Sequence, residues 1–119
     1  MLADFASVVG NNAIVVPTIS TGDDPFVLPG FQTEGRRRDH EAVLVYSVRR
    51  VLRDTEVHVN NSRAGAITRA VDPDLYRTQM IVFPGSYLWG NSSQNKIVLR
   101  AVGERFEIKD MVCFFHQDD

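Results

Sequence analysis

The sequence carries one cysteine, Cys113, in 119 residues, which excludes an intrachain disulfide and a multi-cysteine zinc site. Lysine is almost absent, with Lys96 and Lys109 standing alone beside many arginines. Thirteen basic and fifteen acidic side chains give a net charge of -2, so the broad positive field of a general nucleic-acid binder is missing. The longest hydrophobic runs, such as 13–17 and 42–46, fall far short of the roughly 20 residues that cross a bilayer as a helix, so no membrane span is expected. The first residues lack a basic lead segment, and Asp4, Asn11 and Asn12 interrupt them. No cleavable leader is expected, and the default compartment is the cytoplasm.

Catalytic signatures are missing too. There is no Gly-x-Ser-x-Gly elbow, no Walker loop and no dinucleotide fingerprint. The histidines His40, His58 and His116 are far apart in sequence, whereas a metal-binding strand face needs two of them one residue apart. Cys113 lies between Val112 and Phe114 in an apolar strand pattern and reads as a buried small hydrophobe. The acid pairs Asp23–Asp24 and Asp72–Asp74 have oxygen ligands suited to calcium but not EF-hand spacing, and acids beside Gly and Pro are ordinary turn formers.

What is present is a globular composition, 44% hydrophobic and 24% charged, at the size of one domain spanning 1–119. Short runs of β-branched and aromatic residues are divided by Gly, Pro, Asn and Asp clusters, and no helix of ordinary length emerges. Strands are expected over 13–20, 26–28, 41–51, 55–60, 64–68, 78–83, 96–102 and 106–116. The strand from Glu41 has apolar residues on both faces near its start, which places it centrally. Thr55, Val57 and Val59 share one face and Glu56, His58 and Asn60 the other, so that strand has a wet side. Phe106, Ile108, Met111, Cys113 and Phe115 point inward only if the alternation slips near Asp110, which predicts a bulge there. Seven or eight short strands with turns between them indicate an all-β antiparallel sandwich of jelly-roll type.

From Glu41 onward the chain resembles the galactose-binding-like jelly rolls found as carbohydrate-binding modules and glycosidase sugar-binding domains. The similarity rests on Val57, His58, Val59, Asn60 and Asn61 with Gly65 after them; on Met80 to Pro84 followed by Leu88, Gly90, Asn95, Ile97 and Leu99; and on a closing strand over 106–115. The first 40 residues match nothing in that family. The resemblance implies a non-catalytic module with carbohydrate as partner, and it favours a structural calcium slightly; no cofactor is otherwise expected.

Within that frame Tyr87 and Trp89 flank Leu88, and an extended segment aims both rings the same way, as a stacking platform for a sugar. Asn91 adds a hydrogen-bonding group, with Asn60 and His58 as further ligand-binding candidates. The opposing reading buries both rings at the sandwich end or in a subunit interface. The run Arg36, Arg37 and Arg38 suits either an anionic partner or an arginine-rich solvated loop. The leading expectation is a carbohydrate-binding module with no catalytic residues. The alternative is a structural subunit that forms a homo-oligomer through apolar strand faces near Val43 to Tyr46 and Val112 to Phe115, with protein as its partner. A small hydrolase or isomerase ranks third.

Overall fold

Side chains that alternate between apolar and polar along a strand leave one face to bury, and two such faces satisfy each other by stacking. The computed structural model describes residues 2–20, 22 and 24–117 and shows this solution. Among the described residues there are nine strands: β1 (Leu2–Val9), β2 (Ile14–Val16), β3 (Phe26–Val27), β4 (Glu41–Arg49), β5 (Thr55–Val59), β6 (Ser62–Ile67), β7 (Arg77–Pro84), β8 (Ile97–Arg100) and β9 (Phe106–Gln117). One sheet runs β1-β9-β4-β7, with β2 also pairing β9, and the other runs β3-β8-β5-β6. All pairings are antiparallel. The chain crosses between sheets at six of the eight steps between strands, so both sheets contribute to one core.

That core is built from the inward positions of both sheets. Ala42, Leu44, Tyr46 and Val48 of β4 face Val57, Val59, Ile97 and Leu99 from the opposite sheet, all essentially inaccessible. Burial of the Tyr46 ring also pushes its hydroxyl pKa upward, and its O–H donates to Gln79 Oε1 at 3.1 Å. Gln79 in turn exchanges hydrogen bonds with the backbone of Thr68 just past β6, which ties the two sheets at one side. Burial likewise pushes the Cys113 thiol up to about 12. The native protein is therefore expected to resist a thiol reagent at about pH 8 and to react once it is unfolded in urea. Rapid labelling of the folded chain would mean that β9 is not packed as described.

The expected bulge is present. Asp110 has a φ of 53°, and the pairing of β4 with β9 shifts between Val45 and Ser47. The slip keeps Met111, Cys113 and Phe115 inward beside Ile108. At the other end of the chain the sequence reading is corrected. The expected strand over 13–20 shrinks to β2, and an eight-residue strand, β1, precedes it. The reason lies on the outer face of the first sheet.

That outer face is apolar. Phe5, Phe114, Val43 and Val82 stand in one row across four strands, and Val112, Val45 and Met80 with Ser7 form the next. Below them the face turns polar: Arg49 holds Glu107 through two hydrogen bonds, Nε to Oε2 at 2.5 Å and Nη2 to Oε1 at 3.2 Å. That hydrogen bonding keeps the Glu107 carboxyl below its usual range. Arg49 and Lys109 both lie over the Tyr76 ring. A strand with apolar residues on both faces carries no period-two signal, which is why β1 is invisible to pattern reading.

Candidate functional site

One end of the sandwich is made by the loop over 31–40, the β5–β6 turn and the connection from β7 to β8. These three segments are tied together by a single buried side chain. Asn95 is inaccessible to solvent. Its Nδ2 donates to the Phe31 carbonyl at 3.1 Å and to Thr33 Oγ1 at 2.9 Å. Its Oδ1 accepts from the Trp89 N–H at 2.8 Å and from Asn60 Nδ2 at 3.1 Å. Both donor hydrogens and both acceptor directions of the amide are thus used, the condition under which a buried amide is stable.

The β7–β8 connection is shaped by a close approach. Gly85 is buried, and its N–H donates to the His40 carbonyl at 2.8 Å. Gly85 to Tyr87 then form a turn of 3-10 helix rather than an extended segment. This corrects the expected platform of two parallel rings, because a 3-10 turn rotates successive side chains away from strand alternation. Tyr87 tucks under, half-buried, and stacks on Phe83 with ring centres 6.2 Å apart. Trp89 alone reaches the surface, with 38% of the residue exposed.

The Trp89 backbone is held on every side. Besides the bond to Asn95, Thr33 Oγ1 donates to the Trp89 carbonyl at 2.8 Å. Arg36 Nε donates to the Leu88 carbonyl at 2.8 Å, and the Gly35 N–H donates to the Gly90 carbonyl at 2.9 Å. Gly35 reaches that position with a φ of 80°, in the left-handed region that favours glycine. The Arg36 guanidinium lies over Gly90, where a Cβ would come within 2.9 Å of Nη1. The result is a partly exposed Trp89 on a loop braced by the half-buried Arg36, whose Nε is committed to the Leu88 carbonyl.

The other sequence candidates divide. Asn60 joins the cluster but serves the fold: Nδ2 donates to the Tyr87 carbonyl at 2.6 Å as well as to Asn95, and Oδ1 accepts from the Lys96 N–H at 3.0 Å. Its φ of 55° is one that asparagine tolerates well. Asn91 is exposed on the same loop, and its Oδ1 accepts from the Ser93 N–H in a local turn. His58 is on the outer face of the second sheet, where Nε2 lies 3.1 Å from Glu56 Oε1.

Within the Arg36–Arg38 run, Arg36 braces the Trp89 loop and Arg37 pairs with Asp39, whose carboxyl this hydrogen bond holds below its ordinary range. His40 and His116, distant in sequence, meet edge to face with ring centres 5.0 Å apart. Among the described residues no three His, Cys, Asp or Glu side chains gather as a metal site. Asp72 accepts the N–H groups of Asp74 and Leu75, a turn-forming role; Asp23 lies outside the described residues. Pattern reading missed Thr33 and Asn95 as supports, since nothing in a polar loop marks which member is buried. The one signal was the similarity itself, which singles out Asn95 before its alternating strand.

No protein-family model matches the chain, and no curated protein matches it by sequence. Its fold is similar to solved structures of family 29 carbohydrate-binding modules. One mutant of such a module aligns with a TM-score of 0.56 at 12% identity, covering 95% of this chain and 92% of that one. A second mutant, complexed with mannohexaose, aligns with a TM-score of 0.54 at 12% identity, covering 96% and 93%. The chain therefore has the β-sandwich fold that these carbohydrate-binding modules share.

Proposed function

We propose that this chain is a non-catalytic jelly-roll module that binds carbohydrate at the loop end of the sandwich. The observation that carries the reading is the exposed indole of Trp89 on a backbone fixed by four hydrogen bonds. A backbone already held in place leaves only the side-chain torsions to order on binding, so the stacking energy is not spent on ordering the loop. The C–H face of a pyranose lies against the indole, and the Arg36 Nη groups, with no hydrogen bond among the described residues, donate to neighbouring hydroxyls. Asn91 lies at the rim of the site. Tyr87 and Asn60 support the loop from beneath and do not touch the sugar. The similarity to modules that bind sugars supports the ligand class.

Trp89 is the only tryptophan, so its emission reports this site alone. A glycan array followed by titration with mannohexaose is expected to give a saturable change in that emission. Trp89→Ala is expected to weaken binding by about 30-fold, the size of an anchoring aromatic contact. Unchanged glycan binding by the variant, or no binding by the wild type to any glycan on the array, refutes the reading.

A further inference from the structure

Among the described residues nothing covers the outer face of the first sheet. Phe5 and Met80 are each 63% exposed there, Val82 48% and Phe114 46%. Rings present roughly 150–250 Å² each and the aliphatic chains somewhat less, so these four side chains alone leave on the order of 400 Å² of apolar surface in water. That is the size of the largest patch on a typical monomer, where such patches are commonly functional. It is also about half of the ~800 Å² per partner that a stable interface buries, and the half-buried valines between them with the polar rim supply the remainder.

The chemistry of the face selects its occupant. Across the two apolar rows Ser7 is the single outward polar side chain, so hydroxyls of a sugar laid there would lose water without replacement hydrogen bonds. An apolar surface of the same shape meets no such cost, and an uncharged patch meets its own copy without repulsion. The ends of the rows differ in sign. Glu41 stands beyond the Val43 row, while Lys109 and Arg49 stand beyond the Val45 row. Glu107 offsets Arg49, and Lys109 lies over Tyr76.

We propose that a second copy of this chain docks on this face, sheet against sheet, with the strands of the two copies antiparallel. A two-fold axis across the strands stacks each strand on its counterpart in reverse, so the Val43 row of one copy covers the Val45 row of the other. Glu41 of each copy then comes beside the Lys109 end of its partner. This gives an apolar centre and a charged rim, the usual anatomy of a protein interface. The face is built from strand residues of the first sheet and shares no side chain with the Trp89 loop, so the proposal stands independently of carbohydrate binding.

Sedimentation of the wild-type chain between about 1 and 100 µM is expected to show twice the 13.4 kDa chain mass. Phe114→Glu places a charge in the middle of the face and is expected to weaken dimerisation by at least about 100-fold. Met80→Glu, on the edge strand and already largely in solvent, is expected to do the same without disturbing the core. Val27→Glu on the opposite sheet, 48% exposed, is the control and is expected to stay dimeric. Far-ultraviolet spectra and thermal midpoints establish that each variant is folded. A wild type that remains monomeric over this range, gains mass only with a glycan, or gains it only with a different polypeptide overturns the proposal. So does a dimer that persists in Met80→Glu.

Discussion

Replacing Asn95 with alanine is expected to lower the unfolding free energy by about 3 kcal/mol and to loosen the loop that presents Trp89. The wild-type amide satisfies the Trp89 N–H, Asn60 Nδ2, the Phe31 carbonyl and Thr33 Oγ1 at once. Alanine removes the amide's bonds to all four groups at once. Thr33 and Asn60 retain other bonds, to the Trp89 and Tyr87 carbonyls, which keeps the loss below the sum of four orphaned groups. Urea unfolding is expected to show an earlier midpoint at an unchanged slope, and acrylamide is expected to quench Trp89 more readily in the folded variant. A loss under about 1 kcal/mol would mean that water replaces the amide and that the loop is not held as described.

Gly85→Ala is expected to cost about 3 kcal/mol, at the upper end of what overpacking usually costs. A Cβ at that position would come within 2.3 Å of the His40 carbonyl oxygen and 2.6 Å of the Arg37 carbonyl oxygen. Both are backbone atoms of a turn that is itself anchored by the Arg37 N–H to His116 carbonyl bond at 2.7 Å, so neither can swing aside as a side chain would. Gly10→Ala provides the comparison, because nothing lies within 4 Å of its Cβ and its φ is outside the left-handed region. That change is expected to be neutral or slightly stabilising by restricting the unfolded chain. Equal urea midpoints for the two variants would show that backbone freedom, and not the close approach, is what Gly85 supplies.

The strands that read most clearly are those with one wet face. β5 alternates Thr55, Val57 and Val59 against Glu56 and His58, and its burial follows that order without exception. The Asp110 slip was legible because an inward Met111 and an inward Ile108 cannot both occur in an unbroken strand. β4 was legible as central, and it does lie between β9 and β7. β1 was not, because Phe5 faces outward and erases the alternation.

The candidate site was legible in part. Trp89 is open and Tyr87 is not, a division set by the turn at Gly85. Asn60 and Asn95 look alike in sequence as loop asparagines, yet one sits at a turn and the other is the buried hub to which three segments bond.

By itself, then, the sequence determined the architecture: two stacked antiparallel sheets, the inward residues of β4, β5 and β9 and the bulge in the last strand follow from a periodicity written residue by residue, while β1 does not. Tertiary structure alone decided which ring faces solvent, which loop asparagine becomes the buried hub, and that one sheet keeps an apolar outer face. Those outcomes depend on contacts between segments some sixty positions apart, such as Thr33 with Asn95 at a separation of 62. A local pattern specifies the faces of a strand, whereas the fate of a loop side chain depends on what distant backbone arrives beside it.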